Sequence, residues 1–368
     1  MSGRRLTVVQ LVPALEAGGA ERSTLEIGQA LVAAGHRSIV VSTGGRMVAA
    51  LTRAGSEHVV MPVAAKSPRT LAQVPRLRAL LHDLKPDIVH ARSRMPAWLA
   101  RLALRGQSST HFMTTAHGLN SPGWYSSVMA RGERVICVSN TVRDHLLRHY
   151  HGTDPARLVV IPRGIDPEQY PYGWQPDDYW REWFFAEFPQ LAGAPLLTLP
   201  GRGTRLKGHA DAIRLVADLK ARDIPVRLLL LGVRQSGREG YVAELEQLAR
   251  QLAVADWVAL SAQRDDTRDV YAASSLVLQL STKPESFGRT VVEAIALCRP
   301  VLGYDHGGVG ELLTDLYPAG RVPLGDRERL TERAAALLRA APPIAPLKRY
   351  RLADMQAATL AVYAELAA

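Results

Sequence analysis

Short apolar runs alternate with helix-period stretches along nearly the whole chain. The runs cover 7–12, 38–43, 88–90, 111–116, 135–139 and 159–162, and a second series follows at 196–199, 226–231, 257–260, 276–280 and 301–304. Most are almost wholly apolar, the pattern of strands covered on both faces. Amphipathic stretches at 21–34, 71–84, 241–252 and 290–297 fill the spaces between them. Strand and helix in strict alternation predict parallel sheets wound with helices. The two series are separated by 166–195, which holds several prolines and nine of the chain's 22 aromatic residues. A junction packed by large rings explains that cluster, and so does a greasy contact with a membrane or a lipid-linked substrate. At 368 residues the chain is long for one core. The pattern therefore predicts a domain over 1–166 and a second over 167–346, with a helix over 347–368 that can reach back to the first.

Composition narrows the class. Apolar residues make up 47% and charged residues 22%, ordinary for a globular protein. No apolar run is long enough to span a bilayer. The first twenty residues have arginines and an apolar run, as a leader would, but the Gly-Gly and helical pattern behind them read better as the start of a βαβ unit. Cys137 and Cys298 lie far apart in apolar contexts, so no disulfide framework or metal spacing follows, and a reducing cytoplasm fits. The formal charge of +10 suits an anionic partner, whether nucleic acid, a phospholipid surface or a phosphorylated substrate. Simple solubility accounts for it equally well.

The candidate chemistry sits at the ends of predicted strands, where open parallel sheets bind ligands. Gly18 and Gly19 precede a helix, so backbone N–H groups and a positive dipole end can meet a phosphate. Read alone, a tight turn serves as well, and the spacing is not that of a dinucleotide fingerprint. LPGRGTRLKG places Arg202 and Lys207 in a glycine-rich loop able to neutralise a diphosphate, or merely to form a basic turn. KPESFGRTVVEA sets Glu285 and Glu293 with seven residues between them. Thr290 and Glu293 have capping-box spacing, so Glu293 reads first as a helix cap. Glu285 precedes the helix on a loop with Phe287 and Gly288, and suits sugar hydroxyls. His117 follows a buried-looking strand and precedes a glycine, and 305–313 is a further glycine-rich turn. No D-x-D occurs, so cations and helix dipoles would offset a diphosphate without a metal.

Taken together, the Gly-Gly loop, H-G, G-R-x-x-x-x-K-G and E-x7-E resemble the retaining glycosyltransferases of family four. PDIVHARS, VICVSN, IPRGID and PESFGRTVVEA add to the likeness, which covers nearly the whole chain and is nearest the subgroup building lipopolysaccharide core and other envelope glycans. The resemblance implies the GT-B fold: α/β, with two doubly wound Rossmann-like domains facing a central cleft. It implies that Arg202 and Lys207 bind the donor diphosphate and Glu293 the ribose. Glu285 would lie beside the donor sugar, with the backbone of Phe287, Gly288, Arg289 and Thr290 near sugar and phosphate. His117 would contact the sugar near the reacting carbon, and Gly18 and Gly19 would lie near the phosphates and acceptor. Arg163 departs from the pattern, standing where asparagine is usual, and 91–94 is more basic than usual.

The reaction so implied moves a sugar, with retention, from a nucleoside-diphosphate sugar (UDP as the expected nucleotide) to a hydroxyl of a glycan or glycolipid acceptor. No cofactor or metal is expected. The basic first half predicts attachment to an anionic membrane surface, placing the enzyme in the cytoplasm on the inner face of the membrane. Nucleic acid is not an expected partner. Three rivals stand beside this reading: a nucleotide-sugar epimerase on the same fold, an oxidoreductase, and a basic nucleic-acid binder. Gln263 and Arg264 are further candidates, for the base.

Overall fold

The structure, a computed structural model, describes residues 4–16, 18–107 and 109–368. Ala17, at the head of the Gly-Gly loop, lies outside the described residues. The chain forms two compact units: one runs up to Gly164 and includes Leu352–Ala368, and the other is Ile165–Arg351.

In the first unit seven strands form one parallel sheet: β1 (Thr7–Leu11), β2 (Arg37–Ser42), β3 (Glu57–Val60), β4 (Ile88–Ala91), β5 (His111–Ala116), β6 (Arg134–Cys137) and β7 (Leu158–Val160). Their order is β3-β2-β1-β4-β5-β6-β7. Winding therefore reverses between β1 and β4, which opens a crevice at the carboxyl ends of those strands. The core strands are apolar because helices cover both faces. The strand β3 is not among the predicted runs, since its first half is Glu57 and His58 and a proline follows two residues after its end. It reads EHVV on the sheet edge, where one flank needs no neighbour.

The helix Leu352–Leu366 belongs to this unit although it follows the second in sequence. Met355, Val362 and Tyr363 pack with Leu6, Val8, Ile27 and Leu31 in one apolar cluster. The Tyr363 hydroxyl lies 2.7 Å from His90 Nδ1, and Gln356 Nε2 donates to the Glu26 carbonyl at 2.8 Å. The helix begins at Leu352 rather than 347 because Arg351 is still in an extended bridge with Ile165. There, Ile165 N–H donates to the Tyr350 carbonyl at 2.9 Å.

The second unit repeats the plan with β8 (Leu196–Pro200), β9 (Arg227–Leu231), β10 (Val258–Leu260), β11 (Leu276–Gln279), β12 (Val301–Tyr304) and β13 (Arg321–Val322). The order β10-β9-β8-β11-β12-β13 is again fully parallel and reverses between β8 and β11. The aromatic segment packs within this unit. Phe184 is fully buried and stacks on Trp180 with ring centroids 4.8 Å apart. Burial of one such ring contributes about 1.5–3 kcal/mol. Trp180 Nε1 donates to Asp266 and Trp174 Nε1 to Asp269, at 2.8 and 2.7 Å. Tyr179 and Trp183 stay exposed. No helix among the described residues is long and apolar enough to cross a membrane.

Candidate active site

The two loops that leave the strands flanking the second unit's winding reversal meet. After β8 the chain enters 201–208, and after β11 it enters 280–288. Their contact is set by one glycine, and the seat of the first loop against the turn after β9 by another. Gly208 has φ +76°, and a Cβ there would stand 1.9 Å from the Leu280 carbonyl oxygen. At Gly203 an added Cβ would stand 2.4 Å from the Val233 carbonyl. Backbone lies against backbone at both points, which only glycine permits. The packing brings Lys207 Nζ to 2.5 Å from Glu285 Oε1. Ser281 Oγ donates to the same carboxylate oxygen, and Gly308 N–H donates to the Glu285 backbone carbonyl at 2.8 Å. Both side chains of the pair are about three-quarters covered. An ammonium carries three donors, of which Glu285 occupies one, so Lys207 can still meet an anion. Arg202 lies on the same loop, exposed, and its side chain has no hydrogen bond or ion pair among the described residues.

Thr290 and Glu293 do not form the capping box their spacing suggested. The helix is Arg289–Ala296, and its N-cap is Gly288 at φ +102°, which has no side chain to cap with. Thr290 is therefore already inside the helix. Three positions apart, Thr290 and Glu293 share a helix face, and both meet Tyr271. The Tyr271 hydroxyl pairs with Thr290, while burial and then the Glu293 carboxylate hold its pKa well above the usual phenol range. Glu293 itself is buried, at 8% exposure. The Phe287 side chain is buried as well, so what this turn presents is its backbone. A Cβ on Gly308 would stand 2.5 Å from Phe287 Cα, which packs the glycine-rich turn after β12 against it. His306, ahead of that turn, lies 2.7 Å from the Ser281 carbonyl through Nε2.

In the first unit, His117 directly follows β5. Arg163 reaches both sequence-marked loops. Its Nη1 donates to the Gly19 carbonyl at 2.6 Å, and its Nη2 lies 2.5 Å from His117 Nδ1. A guanidinium only donates, so Nδ1 must accept and the ring proton must sit on Nε2. Burial first, then the charges of Arg163 and Arg92, hold the His117 pKa well below the usual imidazole range. His117 is thus a neutral Nε2–H donor. Gly18 has extended backbone and Gly19 no positive φ, and a Cβ on Gly19 would meet Arg163 only at 3.8 Å. Backbone strain does not call for glycine at Gly19. A group that approaches the loop closely would.

Four residues escaped the sequence reading of the site. Ser281 carries no motif, although its place at a strand end four residues before Glu285 was a usable signal. Arg163 stood out only as a departure and proves to be the link between two loops. Arg92 is buried, with Nε donating to Gln10 Oε1 at 2.8 Å beneath the same loops. His209, the first residue of the helix after Lys207, is fully buried, and burial pushes its pKa down to about 4. Arg264 is corrected as a base-contacting candidate. Its guanidinium is held by Glu187 and Asp266 at 2.8 Å each and lies against Trp183, Phe184 and Phe188.

Residues 17–169 match the family model described as Glycosyltransferase Family 4, and residues 183–349 match Glycosyl transferases group 1. A D-inositol 3-phosphate glycosyltransferase of Rhodococcus opacus is 32% identical over 187 residues, which are 50% of this chain and 40% of that protein. The match thus spans less than half the length of this curated relative. A glycosyltransferase from Rickettsia africae has a TM-score of 0.85 at 25% identity, covering 99% of both chains. Anabaena HepE in complex with UDP and glucose has a TM-score of 0.78 at 19% identity, over 98% of this chain and 100% of that one, a likeness of fold.

Proposed function

The chain belongs to the two-domain GT-B glycosyltransferases, family four in its first half and group 1 in its second, and from that premise we propose that it transfers a sugar from a nucleoside-diphosphate sugar, with retention, to a hydroxyl of a phosphorylated envelope glycan or glycolipid. The observation that carries the reading is the pairing of Lys207 with Glu285 at the winding reversal of the second unit. UDP-sugar is the proposed donor, in keeping with the UDP held by the Anabaena neighbour. Lys207 and Arg202 meet the diphosphate, Glu293 the ribose, and Glu285 the sugar being moved. The backbone of Phe287, Gly288, Arg289 and Thr290 offers N–H groups at a helix N-terminus. His117 donates its Nε2 proton to a sugar hydroxyl, and Gly18 and Gly19 leave room for phosphate or acceptor.

In the transfer, the bond from the anomeric carbon to the leaving diphosphate oxygen breaks, and the bond to the acceptor oxygen forms on the same face. The acceptor's proton passes to the departing phosphate. Negative charge grows on the diphosphate as it leaves, so donors aimed there act mostly in the transition state. Cationic side chains and helix dipoles supply that role in this proposal, and no metal is assigned one. A lipopolysaccharide-core acceptor at an anionic membrane face is the finer form of the reading. It is supported by the basic first half and by a relative whose printed acceptor is likewise phosphorylated.

A thermal-shift panel of nucleotide sugars tests the donor site. At least one UDP-sugar should raise the melting temperature of the wild type, and Lys207→Ala and Glu285→Ala should shrink that rise. A wild type stabilised by none of them would remove the reading. Conversion of the sugar with no acceptor present would favour an epimerase.

A further inference from the structure

The first unit carries an apolar pocket of about 480 Å³ lined by Leu71, Met95, Trp98, Leu102, Trp124 and Tyr125, with Lys66 and Arg105 at its edge. Its floor is built in. Met95 and Trp98 are buried in the core on the helix Arg94–Ala103, and Trp98 Nε1 donates to the Tyr125 carbonyl at 2.9 Å. Its upper wall is not covered. Trp124 stacks on Trp98 with centroids 4.5 Å apart yet is 70% exposed, and Leu71 across the pocket is 45% exposed. Apolar surface of this kind, rimmed by polar groups, marks a place where something binds.

The rim states what. Lys66 Nζ lies 4.2 Å from the Tyr125 ring centroid, and the Arg94 and Arg131 guanidinium carbons lie 5.3 and 5.8 Å from Tyr125 and Trp98. Arg101 adjoins Arg131 and Arg105 closely enough that the two, after burial, hold its pKa below the usual guanidinium range. None of Lys66, Arg94, Arg101, Arg105 or Arg131 has a carboxylate partner among the described residues. Lys66 and Arg105 edge an open apolar slot floored by indole, and three further cations without counter-charge lie beside the residues that line it: Arg94 over Tyr125, Arg131 over Trp98, and Arg101 next to Arg105. Indole and long basic side chains are the groups that settle at the boundary between hydrocarbon and headgroup.

We propose that this pocket holds the hydrocarbon chain of an anionic, phosphate-bearing lipid, whose headgroup meets Lys66, Arg94, Arg101, Arg105 and Arg131. The proposal deepens the acceptor side of the proposed function and rests on that reading.

The test uses the full chain with vesicles of phosphatidylcholine, alone or mixed with phosphatidylglycerol, with plain or brominated acyl chains. Co-sedimentation should require phosphatidylglycerol, and brominated chains should quench tryptophan fluorescence. Trp124→Ala and the pair Lys66→Glu with Arg105→Glu should each weaken vesicle binding by about tenfold, the scale of losing one central anchor. Trp124→Ala should also reduce the quenching, with unchanged melting temperature and unchanged stabilisation by a UDP-sugar. Binding to phosphatidylglycerol that persists in Trp124→Ala without quenching would reduce the site to surface charge and overturn the proposal. Equal binding to pure phosphatidylcholine would overturn it too, as would self-association that Trp124→Ala abolishes. If lipid inserts as expected while no nucleotide sugar stabilises the protein, the donor reading fails and the pocket stands. The opposite pair of results removes the pocket alone.

Discussion

At the scale of single residues, Lys207 and Glu285 pose the sharpest question, because each holds the other. Glu285 either positions the donor in its own right or serves only to aim the ammonium. Removing a donor that acts on a leaving group typically lowers rate by about 10²–10³, and Lys207→Ala should fall in that range. A double-mutant cycle separates the alternatives. If Glu285 acts through Lys207, Lys207→Ala with Glu285→Ala should be no slower than Lys207→Ala alone. If Glu285 touches the sugar itself, the double variant should be slower again. Steady-state kcat/KM with a fixed UDP-sugar reads the cycle. Arg163→Asn restores the residue usual in the family, and it should lower kcat/KM by about tenfold, a loss on the scale of one hydrogen bond to a charged group. Two loops lose their common anchor in that variant, while the fold keeps its core.

At the scale of elements, the glycine-rich turn before the helix His209–Lys220 is where the second unit is least forgiving. Gly208 and Gly237 have nearly the same backbone, φ +76° and +75°, but a Cβ at Gly237 meets nothing within 4 Å. Left-handed strain alone costs an alanine about 1 kcal/mol. Gly208→Ala should add a collision with the Leu280 carbonyl, so its loss of stability should clearly exceed that of Gly237→Ala in urea unfolding. Arg264→Ala should also destabilise, by roughly 2–3 kcal/mol, since it leaves Asp266 partly buried with the Trp180 indole N–H but no counter-charge, and removes the platform under three rings. The sequence pattern revealed eleven of the strands because those strands are covered on both faces and must be apolar. It passed over β3 and β13, one a polar edge strand and the other two residues long. The candidate site was legible as glycine, lysine and glutamate at strand ends. Arg92 and His209 were not, because each works through contacts between segments far apart in sequence, whereas Ser281 stands only four residues before Glu285 and left its strand-end place as the one signal. The capping-box spacing of Thr290 and Glu293 misled for the complementary reason: a glycine two residues earlier had already started the helix.

At the scale of the whole molecule, burial sets the response to acid. His90 and His117 are held well below the usual imidazole range and His209 at about 4, in each case chiefly by burial. An unfolded histidine takes up its proton near pH 6.5. The three therefore contribute stability that is complete above that pH. It is lost as pH falls, because the unfolded chain then binds protons that the folded one refuses. Each should steepen the decline by up to about 1.4 kcal/mol per pH unit. Melting temperatures measured from pH 7.5 to 5 should fall before the carboxylates titrate, and His209→Phe should flatten the slope. The net charge of +10 acts at the same scale, and vesicle binding should weaken as salt is raised.

The helix Leu352–Leu366 sets an order of events during synthesis. Everything the second unit needs has been made once Arg351 is joined, whereas the first unit still lacks one side of its apolar cluster and the hydroxyl that meets His90. At ribosomal speeds of about 5–20 residues per second, the stretch Leu352–Ala368 takes on the order of one to three seconds. Through that interval the earlier-made half waits with Leu6, Val8 and Ile27 uncovered on the side the helix will take, while the later-made half is free to close. The part of the molecule translated first is therefore the part finished last.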